Sequence, residues 1–134
     1  MVKAVNIQHE LSKMKVLHGR TMQTTDAEEE DVFTELAEFN NGSVYVGSFS
    51  GESAWERHPN GDELVHVLKG QATIIILSDD GDQEIVLSEG MVVVVPQGLW
   101  HRFVVPELVT LLTATPLPTE TSAADDPRIT SEGL

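Results

Sequence analysis

The chain has 134 residues, which is enough for a single domain with a core of its own. It contains no cysteine, so disulfides, thiolate nucleophiles and cysteine-ligated zinc are excluded. The formal net charge is −14, from 22 acidic and 8 basic residues. Because such a charge repels phosphate backbones and anionic lipid surfaces, we expect neither nucleic acid nor a membrane as a partner.

Residues 1–42 are expected to form an N-terminal arm and the first strands, with ELSKMKVL either helical or irregular. No continuous apolar stretch follows the basic residues at the N-terminus, so we expect no secretory signal and a cytoplasmic location. His9 and His18 are interpreted as isolated surface histidines. The segment 26–38 has seven carboxylates and neither Lys nor Arg, which is typical of a solvated acidic loop or strand edge.

From residue 43 onward, short β-type runs alternate with turn residues. The runs are Ser43–Phe49, Glu63–Leu68, Ala72–Leu77, Glu84–Leu87, Met91–Val95, Trp100–Val105 and Leu108–Thr113. Turns rich in Pro, Asn, Asp and Gly separate them at intervals of about 8–12 residues, which predicts an all-β barrel or sandwich. We therefore expect a barrel core over residues 43–115, followed by an extended or disordered tail over residues 116–134.

Two of these runs, ATIIIL and MVVVV, are apolar on both faces. One face of an antiparallel strand normally meets water unless another surface covers it. We therefore expect a homodimer in which a second copy covers this face. An N-terminal arm folded over the barrel is the alternative.

The side chains that indicate chemistry lie in WERHPNGDELVHVLKG and in GMVVVVPQGLWH. Because strand residues alternate between faces, Glu56 and His58 point to the same side. The following turn reverses the chain and brings Glu63 close to His58, and a closed barrel could bring His101 alongside. His66 lies on the opposite face from Glu63 and is expected outside the site.

Two imidazoles with one or two carboxylates suit a divalent ion of iron, manganese, nickel or zinc. Glu56, His58, Glu63 and His101 are therefore candidate ligands of one divalent transition-metal ion. Two carboxylates would also cancel the charge of the ion inside a barrel of low dielectric constant. The alternative is a surface cluster without metal, in which these side chains pair with Arg57, Arg102 or Lys69.

The same stretches resemble the two motifs of the cupin superfamily. The first motif is HxH followed by a Glu and a VLxG turn, matched here by Glu56, His58, Glu63 and Val67-Leu68-Lys69-Gly70 in that order. The second motif has a Gly, a Pro-x-Gly turn and a last ligating His, matched here by Gly90, Pro96, Gly98 and His101. The resemblance covers roughly residues 43–113.

The resemblance implies a cupin-type jelly-roll β-barrel with a metal ion near one end of its interior. It implies that His58, Glu63 and His101 are ligands. Glu56 departs from the His that is usual at its position. It can serve as a fourth ligand, as a hydrogen-bond acceptor beside the ligands, or as a general base.

Alternation also indicates which residues line the substrate pocket. From the predicted ligands, the wall is expected to include Val65, Val67, Leu99 and Phe103, with Tyr45 and Gln97 as polar contacts. Because Arg57 and Arg102 point away, we expect no interior Arg or Lys to hold a phosphate or carboxylate group. A neutral or largely apolar small molecule is therefore the expected ligand.

The resemblance implies a metal-dependent enzyme of the dioxygenase, isomerase or cyclase type. The alternative function is a non-catalytic cupin module that binds a small molecule. Fold by itself does not decide between them.

Overall fold

The computed structural model describes residues 2–129, and that part of the chain contains nine strands and two short helices. The strands are β1 (Leu17–Arg20), β2 (Phe33–Phe39), β3 (Gly42–Glu52), β4 (Trp55–Arg57), β5 (Glu63–Ile76), β6 (Gln83–Ser88), β7 (Val92–Val95), β8 (His101–Pro116) and β9 (Glu120–Ser122). The helices are α1 (Ile7–Ser12) and α2 (Asp26–Glu29). Residues 130–134 of the predicted tail lie outside the described residues. Within residues 2–129, neither helix has the length and apolar character needed to cross a membrane.

The strands form one curled sheet built around two long strands, β5 and β8. Strand β8 pairs antiparallel with β3 on one side and with β5 on the other. Strand β5 pairs in turn with β7 through its first residues and with β6 through its last. Strand β3 also pairs with β2 in antiparallel and with β1 in parallel orientation. The predicted all-β barrel fold is confirmed.

The strand boundaries differ from the prediction in one respect, because two pairs of predicted strands are each a single long strand. The two halves of β5 were expected to be two strands, separated by a turn at Gly70. This residue has a positive φ of 83° and lies where the pairing of β5 with β8 shifts register. A side chain at Gly70 would overlap the carbonyl oxygen of Leu108. The glycine therefore allows a close-packed irregularity within a continuous strand rather than a reversal of the chain.

Alternate residues of the long strands fill the barrel. The most deeply buried members of the core are Phe49, Val65, Val67, Ile74, Val95, Val105, Val109 and Leu111. Their period of two places one face of each strand inside, and burial of this apolar surface is the main stabilising contribution to the fold.

The N-terminal arm and the C-terminal tail both pack on the barrel. Helix α1 lies against β2 and β3, where the outward-facing Val46 is fully buried. The described part of the tail is extended, as predicted, but it is joined to the sheet because β9 pairs with β4. The indole Nε1 of Trp55 also donates to the carbonyl oxygen of Asp125, at 3.3 Å. The tail is therefore not a separate appendage over its described residues.

Candidate metal centre and adjoining cavity

The four predicted ligands meet where three strands begin or end. Glu56 lies in β4 directly opposite His101, the first residue of β8. His58 follows Glu56 by two residues and points to the same side, and Glu63 is the first residue of β5. His58, Glu63 and His101 are buried, whereas the side chain of Glu56 is 25% exposed. The fold thus brings all four side chains together.

Two turns fix His58 beside His101. The backbone N–H of Gly98, in the turn before β8, donates to the carbonyl oxygen of His58 at 3.0 Å. The side-chain amide of Gln97 donates to the carbonyl oxygen of Pro59, in the turn after β4, at 2.7 Å. The two imidazole rings consequently lie with their centroids 5.2 Å apart. The turn residues position the histidines as well as reversing the chain.

The nitrogen and oxygen atoms converge on one point. One ligand atom each of Glu56, His58 and His101 lies within 4.8 Å of the other two. Oε1 of Glu63 is 3.0 Å from Nε2 of His101 and 3.3 Å from Nε2 of His58. Among residues 2–129, nothing forms a hydrogen bond with the buried Nε2 of His58. A buried polar atom without a partner is destabilising, and a cation held between these groups would satisfy it. The residues therefore fit a divalent metal ion.

The Nδ1 atoms of His58 and His101, on the side of each ring away from the site, also have hydrogen-bond partners. Nδ1 of His101 is 2.9 Å from the carbonyl oxygen of Leu99, and Nδ1 of His58 is 3.0 Å from the hydroxyl oxygen of Thr119. A carbonyl oxygen can only accept, so Nδ1 of His101 is the donor. In the neutral imidazole this leaves the lone pair of Nε2 facing the site, which is the arrangement found in metal-ligating histidines.

Burial and charge shift the protonation of the site in the metal-free protein. Burial alone would raise the pKa of Glu63, but the hydrogen bond with His101 and the nearby His58 lower it to about 2. Burial likewise opposes the charge on His101, yet the contact with Glu63 leaves the pKa of that imidazole raised. Burial and the charge of Glu63 raise the pKa of Glu56. The second oxygen of Glu63 accepts a hydrogen bond from the Thr115 hydroxyl at 2.7 Å.

The alternative in which Arg57 and Arg102 pair with a surface cluster of these side chains is wrong in its pairing and in its position. The arginines proposed as its partners bind elsewhere: Arg57 pairs with Glu120 and Arg102 pairs with Glu52, each at 2.8 Å. His58 is 2% exposed and therefore has no place in a surface cluster.

A cavity of about 250 Å³ adjoins the carboxylates of Glu56 and Glu63. Its wall is mainly apolar and includes Phe33, Tyr45, Phe49, Phe103, Leu111 and Thr113. Tyr45 and Phe103 are thus in the wall, as the sequence led us to expect. Val65 and Val67 are fully buried in the barrel core, and Leu99 lines a separate surface cavity with Trp100.

Arg20 also lines this cavity, so the expectation that no interior Arg is present is wrong. The residue ends β1 and is 7% exposed. Strand β1 approaches β3 closely because Gly51, with a φ of 103°, has no side chain to overlap the backbone of Arg20. The Nε–H of Arg20 donates to Oε1 of Glu29 at 2.7 Å. Glu29 belongs to the acidic segment interpreted as solvated, and this member of it lines the cavity.

The remaining histidines lie away from the four ligands. His66 is half-buried on the outer face of β5, opposite Val92. His9 in α1 and His18 in β1 are exposed.

Comparison of the sequence with known families and proteins identifies similarity over the barrel strands. A family model for the cupin domain matches residues 46–113. The uncharacterized protein YdbB of Bacillus subtilis is 37% identical over 68 residues, which are 50% of this chain and 57% of that protein. This match therefore spans little more than half the length of the relative.

Solved structures show the same fold. A cupin superfamily protein from Desulfitobacterium hafniense is 25% identical with a TM-score of 0.55, covering 64% of this chain and 76% of that one. Hydroquinone 1,2-dioxygenase from Sphingomonas sp. TTNP3, solved with 4-hydroxybenzoate bound, has a TM-score of 0.55 at 18% identity, covering 69% of this chain and 67% of that one. At that identity the second likeness concerns the fold alone.

Proposed function

Because this chain belongs to the cupin domain family, and because its Glu and His side chains converge beside a cavity, we propose that it is a metal-dependent enzyme. It would hold one divalent transition-metal ion and act on a small organic molecule. The observation that carries the proposal is the close approach of the ligand atoms of Glu56, His58 and His101 around the unpartnered Nε2 of His58.

The two imidazoles and Glu63 would hold the ion, with Glu56 as the fourth ligand. Such a mixture of nitrogen and carboxylate oxygen donors suits iron, manganese, nickel or zinc. When bound, the ion supplies Lewis-acid polarisation of a substrate oxygen or, if it is iron, chemistry with dioxygen. Dioxygenase, isomerase and cyclase reactions are the classes proposed: the first would use the chemistry with dioxygen, and the other two the polarisation of a substrate oxygen.

The chain's own residues would prepare the substrate for that step. The aromatic side chains of Phe33, Phe49 and Phe103 line the cavity, and their contact with a bound substrate would strengthen electrostatic interactions there. Leu99 and Thr119, through their hydrogen bonds to Nδ1 atoms, keep the two imidazoles aimed at the centre. Pre-organised ligands of this kind need no rearrangement when the substrate enters.

The first test is elemental analysis of protein purified without chelators or an affinity metal. We expect about one transition-metal ion per chain, and loss of that ion in the His58→Ala/His101→Ala double variant. His66→Ala removes a histidine from the outer face and serves as the matched control. Absence of metal in the wild-type protein, with no uptake of added iron, manganese, nickel or zinc, would contradict the proposal.

The second test separates catalysis from binding. Loaded wild-type protein and the double variant are incubated with a mixture of small metabolites, which is then compared by mass spectrometry. A compound that only the loaded wild-type protein converts supports an enzyme. A compound that binds to the loaded protein but is recovered unchanged supports the non-catalytic cupin module instead.

We also propose that the protein is a homodimer. An outer apolar patch, defined as Phe39, Leu64, Val92 and Val94, lies on β2, β5 and β7. Leu64 is directly opposite Val94, and both border a shallow cavity with Phe39. Helix α1 packs mainly against β2 and β3, whereas Leu64, Val92 and Val94 of the patch lie on β5 and β7. Solvent-exposed apolar patches of this kind are typical of protein interfaces, and a second copy would bury this one.

A further inference from the structure

Arg20 is held in a fixed position at the wall of the cavity. Its guanidinium carbon lies 4.8 Å from the ring centroid of Phe49 and 5.5 Å from that of Phe33. Its Nε–H is bonded to Glu29. These contacts on the faces and on one edge of the planar group leave it little rotational freedom.

The terminal amino groups of the guanidinium form no hydrogen bond with residues 2–129, and Nη2 makes a long ion pair with Glu56. Arg carries five N–H donors, of which four belong to its two terminal amino groups. Among residues 2–129, the guanidinium forms one hydrogen bond, through Nε to Glu29. The nearest other carboxylate is that of Glu56, 4.0 Å from Nη2 and beyond hydrogen-bond distance. A guanidinium that is nearly removed from water is most stable when these donors are satisfied, so the cavity wall has donor capacity for a ligand.

The charges of the wall disfavour a doubly charged anion. Glu29, Glu56 and Glu63 line the same cavity as Arg20, so a doubly charged phosphate group would face three carboxylates and one guanidinium. A carboxylate has one charge and two coplanar oxygens, which match the terminal amino groups of Arg in a bidentate pair.

The other residues of the cavity wall indicate the size and polarity of the rest of the ligand. Tyr45, Phe103 and Leu111 give the cavity its apolar surface, and its volume of about 250 Å³ limits the ligand to a small molecule. Glu56 connects Arg20 with the metal centre, since its Oε1 is 4.0 Å from Nη2 of Arg20 and one of its oxygens lies within 4.8 Å of the ligand atoms of His58 and His101. A small ligand bonded to Arg20 is therefore close to the metal centre.

We infer that Arg20 is the carboxylate-binding residue of this cavity, and that the substrate is a small monocarboxylate with an apolar body. The inference rests on the proposed function, because it concerns the substrate of the same cavity. It replaces the expectation of a neutral ligand, whose premise was the absence of an interior Arg.

The test compares acids with their uncharged amides of equal shape. Benzoate and benzamide, and butyrate and butyramide, are titrated by NMR into the full-length protein, both chelator-treated and zinc-loaded. Chelator-treated protein isolates the contribution of Arg20, since no metal is present to attract the carboxylate. We expect at least one acid to bind at least about tenfold more tightly than its amide in both forms, because charge-assisted bidentate pairs are stronger than neutral hydrogen bonds.

Substitutions test whether Arg20 causes the preference for the acid over the amide. Arg20→Gln should abolish the preference for the acid. Arg20→Lys should retain part of the preference, because lysine keeps the positive charge but lacks the planar guanidinium that forms a bidentate pair. Arg128→Gln removes a positive charge from an exposed side chain outside the cavity and should retain the full preference. Circular dichroism checks that each variant is folded, and the acid–amide comparison on the wild-type protein needs no variant.

Equal affinity for acid and amide in the wild-type protein would overturn the inference. So would the absence of saturable binding of both acids, or an unchanged preference in folded Arg20→Gln. Zinc content is measured on the same samples. An Arg20-dependent preference in a protein that takes up none of iron, manganese, nickel and zinc would support this inference and contradict the proposed metal-dependent function. Uptake of one of these metals without a preference for the acid would support the metal-dependent function and overturn this inference.

Discussion

The hydroxyl oxygen of Thr119 lies 3.0 Å from Nδ1 of His58, so a residue of the C-terminal tail contacts a histidine of the candidate metal centre from behind. Thr119 lies between β8 and β9, outside the segment that matches the cupin domain. Pairing of β9 with β4 keeps it there. The tail therefore contributes to the orientation of a proposed ligand.

Thr119→Val should weaken metal binding, because it replaces the hydroxyl by a methyl group of similar size and leaves Nδ1 of His58 without its partner. Loss of such a supporting hydrogen bond typically lowers metal affinity about 10- to 100-fold. Competition with a chromophoric chelator measures the affinity. Thr119→Ser should restore it, whereas Thr121→Val changes an exposed threonine of β9 and should have no effect. Equal affinities of Thr119→Val and the wild-type protein would show that the hydroxyl is dispensable.

Glu56→Gln tests whether Glu56 is a ligand. If it binds the ion directly, the loss of a charged oxygen donor should lower the affinity by at least about tenfold. The same chelator competition applies, with Glu52→Gln as a control at an exposed carboxylate. Unchanged affinity together with loss of turnover would instead identify Glu56 as a general base.

The stability of the chelator-treated protein should depend on pH through His101 and Glu63. The pKa of His101 is raised by folding, so its stabilising contribution is complete below about pH 6.5 and is lost as the pH rises through the raised pKa. The pKa of Glu63 is lowered to about 2, so its contribution is complete above about pH 4.5 and is lost as the pH falls toward 2. The raised pKa of Glu56 adds to the loss at higher pH.

We therefore expect maximal thermal stability of the metal-free protein between about pH 4.5 and 6.5. Differential scanning calorimetry over a pH series measures it. His101→Gln should reduce the decline on the alkaline side, and His66→Gln should leave it unchanged. A midpoint that rises steadily from pH 5 to pH 8 would contradict the assignment.

The outer apolar patch predicts the oligomeric state. Val92 and Val94 are 57% and 51% exposed, and aspartate at both positions would place two charges in the proposed interface. Sedimentation velocity should show a dimer for the wild-type protein and a monomer for the Val92→Asp/Val94→Asp variant. Val86→Asp alters an equally exposed valine on β6 and should remain dimeric. A monomeric wild-type protein across the micromolar range would exclude the dimer.

The proximity of Glu56, His58 and Glu63 follows from local sequence rules, whereas His101 reaches them through the pairing of β4 with β8. Alternation places Glu56 and His58 on one side of β4, and a short turn leads directly to Glu63. Alternation does not indicate depth along a strand, however. Val65 and Val67 lie on the same inward face of β5 as Glu63. They are further along the strand, however, where they pack in the hydrophobic core rather than against the cavity.

Arg20 and Thr119 could not be identified from the sequence, for different reasons. Arg20 ends a four-residue strand that pairs in parallel with β3 through an irregular register, and a strand so short has no readable period. Thr119 is one polar residue in a tail rich in Pro and Thr, where no pattern distinguishes it. Both positions depend on long-range pairing that only the folded chain reveals.

The arm and the tail, which pack on the barrel, each contribute one residue to the site from outside the segment that matches the cupin domain. Glu56, His58, Glu63 and His101 all fall within the matched segment 46–113, whereas Arg20 precedes it and Thr119 follows it. The residue proposed to bind the carboxylate of the ligand is therefore encoded outside the segment that supplies the four proposed metal ligands. Substitutions at Arg20 should change which molecules are accepted while the metal ligands stay the same.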